Sequence, residues 1–235
     1  EEKVSDTVEG AGRTGTEATG GEDGIIELQS TDDIVNLKRA AELVNDRNRI
    51  VMLTSFGLNW ALTVLNEVYF LRKYDFDGVL GIFGSREECE AIMRQEVVKL
   101  KVCTFISVGK FLDSDNAWPA NRLRWLEQLA FMGYEVLMTD TDICFVSNPF
   151  IGLEASGKNI VTSGAVSNFN LGALYANGAS TRADKDRDLG MLTEINKRLS
   201  QMTQDFKNAP KGSVSIAVLN DQSMVNDVMQ QWISD

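Results

Sequence analysis

From Ile50 onward, short runs of apolar residues alternate with longer stretches whose apolar residues recur every three to four positions. That rhythm constrains the fold more than any other feature, because it is what helices layered on a largely parallel sheet require. Residues 49–55 (RIVMLTS) read as a buried strand, and residues 60–73 as a helix with Ala61, Val64, Leu65, Val68 and Leu71 on its apolar side. Residues 78–83 are a second strand. Ser85, with Glu88 three residues later, has the spacing of a capping box and opens a helix over residues 86–99. Residues 102–107 are a third strand. Pro119 stands where a helix begins, and residues 120–132 continue it, with Leu123, Leu126, Leu129 and Ala130 on one side, until Gly133 stops it. A fourth strand, residues 134–139 (YEVLMT), runs straight into Asp140-Thr141-Asp142. Beyond it Asn148-Pro149 marks a break, residues 159–162 and 172–176 are strand-like, and helices are expected over residues 182–208 and 222–232.

Charge divides the chain unevenly. The net charge is −11, but residues 1–33 hold ten acidic residues against Lys3 and Arg13, so −8 of it lies there and the remaining body is close to neutral. Residues 1–24 offer only Val4 and Val8 as sizeable apolar groups, too few to offset the entropy of ordering, so residues 1–33 are expected to be a flexible acidic lead and residues 34–235 a single α/β domain. No clustered stripe of Lys and Arg is present, which argues against a nucleic-acid partner. The apolar runs are all too short to span a bilayer, so any membrane attachment is expected to come from a segment outside this sequence. The start, Glu1-Glu2-Lys3, carries neither an initiator Met nor a signal-like stretch, and the chain is expected to be part of something longer.

Residue types absent from the chain narrow the chemistry. There is no histidine, which removes Ser-His, Cys-His and His-metal sites together. Cys89, Cys103 and Cys144 lack CxxC spacing; a Cys89–Cys103 bridge is open, but the burial preference of Cys favours three buried thiols. Neither GxGxxG nor GxxxxGK[ST] occurs, so the dinucleotide fingerprint and the P-loop lose their support. Carboxylates, amides and hydroxyls are what remain.

In open α/β sheets ligands collect at the carboxyl ends of the strands, which brings Thr54 and Ser55 after the first strand and Asp140 after the fourth into one expected crevice. Two carboxylates one residue apart suit Mg²⁺ or Mn²⁺, and such an ion neutralises a diphosphate leaving group without any protonated acid. Alone, an acidic pair is usually a solvated turn. Here apolar residues flank it on both sides, with Tyr134 to Met138 before it and Ile143-Cys144-Phe145 after it. Two buried like charges in such a run would need a compensating cation or hydrogen bonds.

The segment GYEVLMTDTDI of residues 133–143, followed by Asn148-Pro149, resembles the corresponding segment of the nucleotide-diphospho-sugar transferases of plants and algae, a family that includes cell-wall xylosyl- and arabinosyltransferases. Two further segments fall in the family's order. NLGALY of residues 170–175 is similar to its Asn-x-Gly strand, and NDQSMVN of residues 220–226 to the start of its Asn-Asp-Gln helix. The resemblance covers residues 49–232 and implies a GT-A fold, Rossmann-like, with a mixed, mostly parallel sheet flanked by helices. It implies a metal-dependent glycosyltransferase moving a sugar from a nucleotide-sugar donor to a glycan or glycoprotein acceptor with retention, in the Golgi or another secretory lumen.

Carried over by motif, Asp140 and Asp142 would bind Mn²⁺ or Mg²⁺ and donor, Asp221 would hold the sugar hydroxyls, and Gln222 would lie by the anomeric carbon. Asn170 and Gly172 would line the sugar pocket, Arg124 would face the diphosphate, and Thr54 and Ser55 would border the nucleotide. Relatives often complete the metal site with a histidine near the C-terminus, and Arg124 stands where they often have lysine. The missing histidine leaves three readings: a C-terminally truncated domain, a water in that position, or a donor-binding relic that partners an active enzyme. A haloacid-dehalogenase-like phosphatase also carries Asp-x-Asp after an apolar strand, but it continues with a small pair rather than Ile143-Cys144 and opens its domain with the motif.

The bland roles are also open: Asp221 as a helix N-cap, Asn170 and Gly172 as a turn and a close-packed strand, and Trp60, Trp118, Trp125 and Trp232 as packing rather than sugar platforms.

Overall fold

In a computed structural model, residues 24–55, 57–96, 100–107, 118–165, 168–208 and 221–234 are described. Seven strands form one sheet in the order β1-β4-β3-β2-β5-β7-β6. The strands are β1 (Ile25–Glu27), β2 (Arg49–Ser55), β3 (Val79–Phe83), β4 (Cys103–Phe105), β5 (Glu135–Thr139), β6 (Ile160–Ala165) and β7 (Asn168–Asn177). The first five named in the sheet order run parallel, and β7 pairs antiparallel with both β5 and β6. This is the mixed, mostly parallel sheet expected for a Rossmann-like GT-A fold.

Helices cover both faces. Ile50 and Met52 of β2 and Val136 and Met138 of β5 pack on one face with α1 (Ile34–Val44), α4 (Trp118–Phe131), α6 (Lys185–Asn208) and α7 (Asp221–Ser234). Val51, Leu53 and Leu137 point the other way, onto α2 (Leu58–Lys73), α3 (Arg86–Met93) and α5 (Pro149–Ser156). Burial on both sides is why the central strands read as continuous apolar runs rather than alternating ones.

Several boundaries depart from the sequence reading. Ile25 to Glu27, assigned to the acidic lead, are paired with Cys103 to Phe105 as an edge strand, and α1 begins directly after that segment. Pairing with β4 and the burial of Ile25 and Ile26 outweigh the polar composition around them. Asn148-Pro149, read as a break, starts a helix: the Asn148 side chain accepts from the Phe150 amide at 3.1 Å and Pro149 takes the first turn, where its missing N–H costs nothing. The helix after Ser85 ends at Met93.

The capping signal at its start holds. Ser85 Oγ accepts from the Glu88 amide at 3.3 Å, while Glu88 reaches back to the amides of Gly84 and Gly57, tying this helix to the turn that follows β2. The expectation of three buried thiols fails. Cys89 and Cys103 form a disulfide that staples α3 to β4, with Cα atoms 5.6 Å apart, and Cys144 is exposed. Closing a loop of 14 residues removes unfolded-state freedom worth about 3 kcal/mol.

Candidate functional site

In this sheet β3 and β4 follow β2 on one side, whereas β5 lies on the other, so the strand order reverses between β2 and β5. Helices cannot cover both directions at that reversal, and a crevice opens beyond the carboxyl ends of the two strands. Register puts Leu53 of β2 opposite Thr139, the last residue of β5, so Asp140 leaves the sheet beside Thr54, which stays paired with Ile82 of β3. A cavity of about 270 Å³ occupies the place, lined by Thr54, Ser55, Trp60, Arg122, Asp140, Thr141 and Asp142. Four of the residues singled out from the sequence, Thr54, Ser55, Asp140 and Asp142, therefore meet. The Ser55 hydroxyl is buried there without a hydrogen-bond partner.

Alternation along β5 decides what each side chain meets. Thr139, in phase with Leu137, faces α2, and its hydroxyl donates to Glu67 Oε2 at 3.1 Å. Asp140, one residue on, turns to the α4 face, where Arg122 Nη1 donates to its Oδ1 at 2.5 Å. The Asp140 amide is held by the Gly172 carbonyl of the neighbouring strand at 2.9 Å. Gly172 thus contributes backbone to the site, fixing the residue that bends out of the sheet.

The pair is less buried than its apolar neighbours imply. Asp140 keeps 42% of its side chain exposed and Asp142 is open to solvent in the turn that follows. Water, together with Arg122 beside Asp140, relieves the mutual repulsion. The flanking apolar residues that suggested two buried charges, Met138 before the pair and Phe145 after it, are themselves buried.

Arg124 is not in the crevice. Its guanidinium binds Asp32 at 2.9 Å and Glu127 at 2.8 Å, and Glu127 is itself held by Thr193 and Asn196 of α6. A helix turns about 100° per residue, so two residues place Arg122 and Arg124 on nearly opposite sides of α4. The cation at the site is Arg122, with 14% of its side chain exposed, and Arg124 belongs to the α4–α6 packing. Trp60, read as packing, stands on the rim of the cavity with 60% of its surface exposed, whereas Trp125 is fully buried.

Asn170 lies in β7, and Asp221 and Gln222 open α7, but their side chains lie outside the described residues, as do those of Trp118 and Trp232.

Glu67 is the residue that sequence reasoning passed over. It sits in α2 between Val64 and Val68, 1% exposed, with Oε1 unpartnered. The signal was an acid inside an apolar helical stripe, since Glu67 falls three residues after Val64 and four before Leu71. Burial pushes its carboxyl up to about 8, the Thr139 hydrogen bond pulls against this, and Asp142 and Asp140 raise it further. Its folded-state value is above the unfolded one of 4.5, so the folded chain holds an extra proton between the two. The stabilisation is complete below about 4.5 and lost as pH rises through about 8. Urea unfolding in EDTA from pH 5 to 9 should show the chain losing on the order of a few kcal/mol relative to Glu67→Gln, which lacks this titration. Parallel pH profiles for the two proteins would refute the assignment.

Among the described residues no three His, Cys, Asp or Glu side chains converge as a closed metal site. Two carboxylates facing an open cleft are nevertheless the donor set of an ion that shares its shell with substrate phosphates and water. Asp140 and Asp142 fit a hard divalent cation in that way. No match to the chain is found among curated proteins. The profile described as nucleotide-diphospho-sugar transferase matches residues 117–235, just over half of the sequence, and this stretch contains Arg122, the acidic pair, the Gly172 strand and all of α7. With its sheet reversing direction where Arg122 and the acidic pair meet, the chain belongs to the nucleotide-diphospho-sugar transferase family.

Proposed function

We propose that the chain transfers a sugar from a nucleotide-diphospho-sugar to a glycan or glycoprotein acceptor with retention of configuration. The donor diphosphate would lie between Arg122 on one side and Mn²⁺ or Mg²⁺ held by Asp140 and Asp142 on the other. The observation that carries this is the convergence of one guanidinium, two carboxylates and the unpartnered Ser55 hydroxyl at the sheet's reversal point. Charge complementarity supports the order: a diphosphate brings the negative charge that Arg122 and a divalent ion neutralise, and a fork-shaped guanidinium can grip two phosphoryl oxygens at once. When bound, the ion supplies electrostatic stabilisation of the departing nucleoside diphosphate.

The chain's own residues do the rest. Arg122 is placed to exchange Asp140 for phosphate when donor arrives, and Thr54 and Ser55 donate hydroxyl hydrogen bonds along the nucleotide side. Trp60 presents an aromatic wall at the rim. By resemblance, Asp221 would hold the sugar hydroxyls, Gln222 would flank the anomeric carbon and Asn170 would line the sugar pocket. The disulfide supports a secretory lumen such as the Golgi, because such bonds persist in oxidising compartments. No helix among the described residues is long and apolar enough to cross a membrane.

Calorimetric titration with a panel of nucleotide sugars, with and without Mn²⁺, tests the reading. Saturable binding of at least one donor that requires Mn²⁺, with slow release of free sugar, is expected. A chain that binds no donor in either condition contradicts it, and Mn²⁺-dependent binding without hydrolysis or transfer would make it the relic rather than the enzyme.

A further inference from the structure

Asp140 is held by Arg122 and the Gly172 carbonyl, whereas residues 141 and 142 form a turn and Asp142 is exposed. What lies directly beneath is the Thr139 side chain, 0% exposed, and the Glu67 carboxyl that accepts its hydroxyl. Placing an acid in the apolar stripe of α2 is costly unless it is hydrogen-bonded, and Glu67 receives a partner on only one of its two oxygens. A leucine there would fill similar space with no polar atom to satisfy. The placement is therefore poor as packing, and its one hydrogen bond among the described residues comes from the residue that precedes Asp140.

We propose that Glu67 is a positioning residue of the cation site, clamping Thr139 so that Asp140 and Asp142 leave the end of β5 in the direction a divalent ion needs. The clamp acts from the opposite face of the sheet to Arg122, so the strand end is held from both sides: Glu67 and Thr139 toward α2, Asp140 and Arg122 toward α4, with the Gly172 carbonyl fixing the Asp140 amide between them. Neither Glu67 nor Thr139 is among the residues that line the cavity. Partners that orient a metal ligand from behind typically change affinity for the ion by about 10- to 100-fold when removed.

This inference rests on the reading of Asp140 and Asp142 as a cation site, and the experiment keeps the two apart. Mn²⁺ alone is titrated against the unaltered chain, Thr139→Val, Glu67→Leu and Glu67→Gln, with free Mn²⁺ followed by electron paramagnetic resonance and thermal unfolding recorded in EDTA. Thr139→Val is nearly isosteric and removes only the hydroxyl, so it remains decisive if Glu67→Leu fails to fold. Expected are about tenfold weaker Mn²⁺ binding in Thr139→Val and Glu67→Leu, no further loss when the two are combined, and affinity within about threefold of the unaltered chain in Glu67→Gln, whose amide oxygen still accepts from Thr139.

Unchanged affinity in a folded Thr139→Val overturns the clamp while leaving the cation site standing. A loss in Glu67→Gln as deep as in Glu67→Leu overturns it as well, because charge rather than the hydrogen bond would then be what matters. If the unaltered chain takes up no Mn²⁺, both readings fall.

Discussion

Replacing Asp142 by alanine should remove Mn²⁺-dependent donor binding, lowering affinity by about 100-fold or more, while the fold survives. Asp142 is exposed in the turn after β5 and supports no core packing, so its loss costs little stability. Its carboxylate is nevertheless half of the negative charge offered to an ion in the cleft, and the attraction between a divalent cation and its ligands scales with that charge. A hundredfold change corresponds to about 2.8 kcal/mol. Asp140→Ala should be equally damaging to binding but harder to interpret, because it also strips Arg122 of its 2.5 Å partner in a partly buried setting. Calorimetry with a nucleotide sugar and Mn²⁺, beside thermal unfolding without either, separates the effects. Donor affinity that survives both substitutions would dismiss the site.

The second large effect divides two arginines that sequence alone cannot tell apart. Arg122→Ala should weaken donor binding by about 10- to 100-fold, the worth of a charge-assisted hydrogen bond or two to phosphate. Arg124→Ala should leave donor affinity unchanged and cost on the order of 1 kcal/mol of stability, since Arg124 is partly exposed and Glu127 keeps its bonds from Thr193 and Asn196. The paired outcome is the test. If Arg124→Ala carries the affinity loss and Arg122→Ala does not, the diphosphate lies elsewhere.

The motif put Arg124 forward, yet Arg122 is the arginine that lines the cleft. Strand and helix order from β2 to β5 followed from periodicity, because each central strand is apolar on both faces and the helices between them bury one side, whereas β1, α1 and α5 were not read from it. The site's position followed from the rule that ligands gather at carboxyl strand ends, and the meeting of Thr54, Ser55, Asp140 and Asp142 needed nothing more. Rotation of α4 about its axis is another matter. It is set by the packing of Leu123, Leu126 and Leu129 against the sheet and α6, contacts between segments far apart in the chain.

Glu67 was hidden for a related reason. A helical stripe shows which side is buried, but only the fold reveals that Thr139 lies opposite. The acidic surroundings of Ile25 and Ile26 concealed β1 similarly, because a three-residue edge strand draws its stability from β4 and not from its own composition.

That short edge strand sets a practical limit on how the chain can be trimmed. A fragment begun at α1 would uncover the backbone donors and acceptors of Cys103 to Phe105, the next strand in, whose residues are all buried. An uncapped, oily sheet margin is a template on which a second molecule can add its own strand. Self-association of such a fragment would then come from the lost margin alone, with the cleft between β2 and β5 untouched.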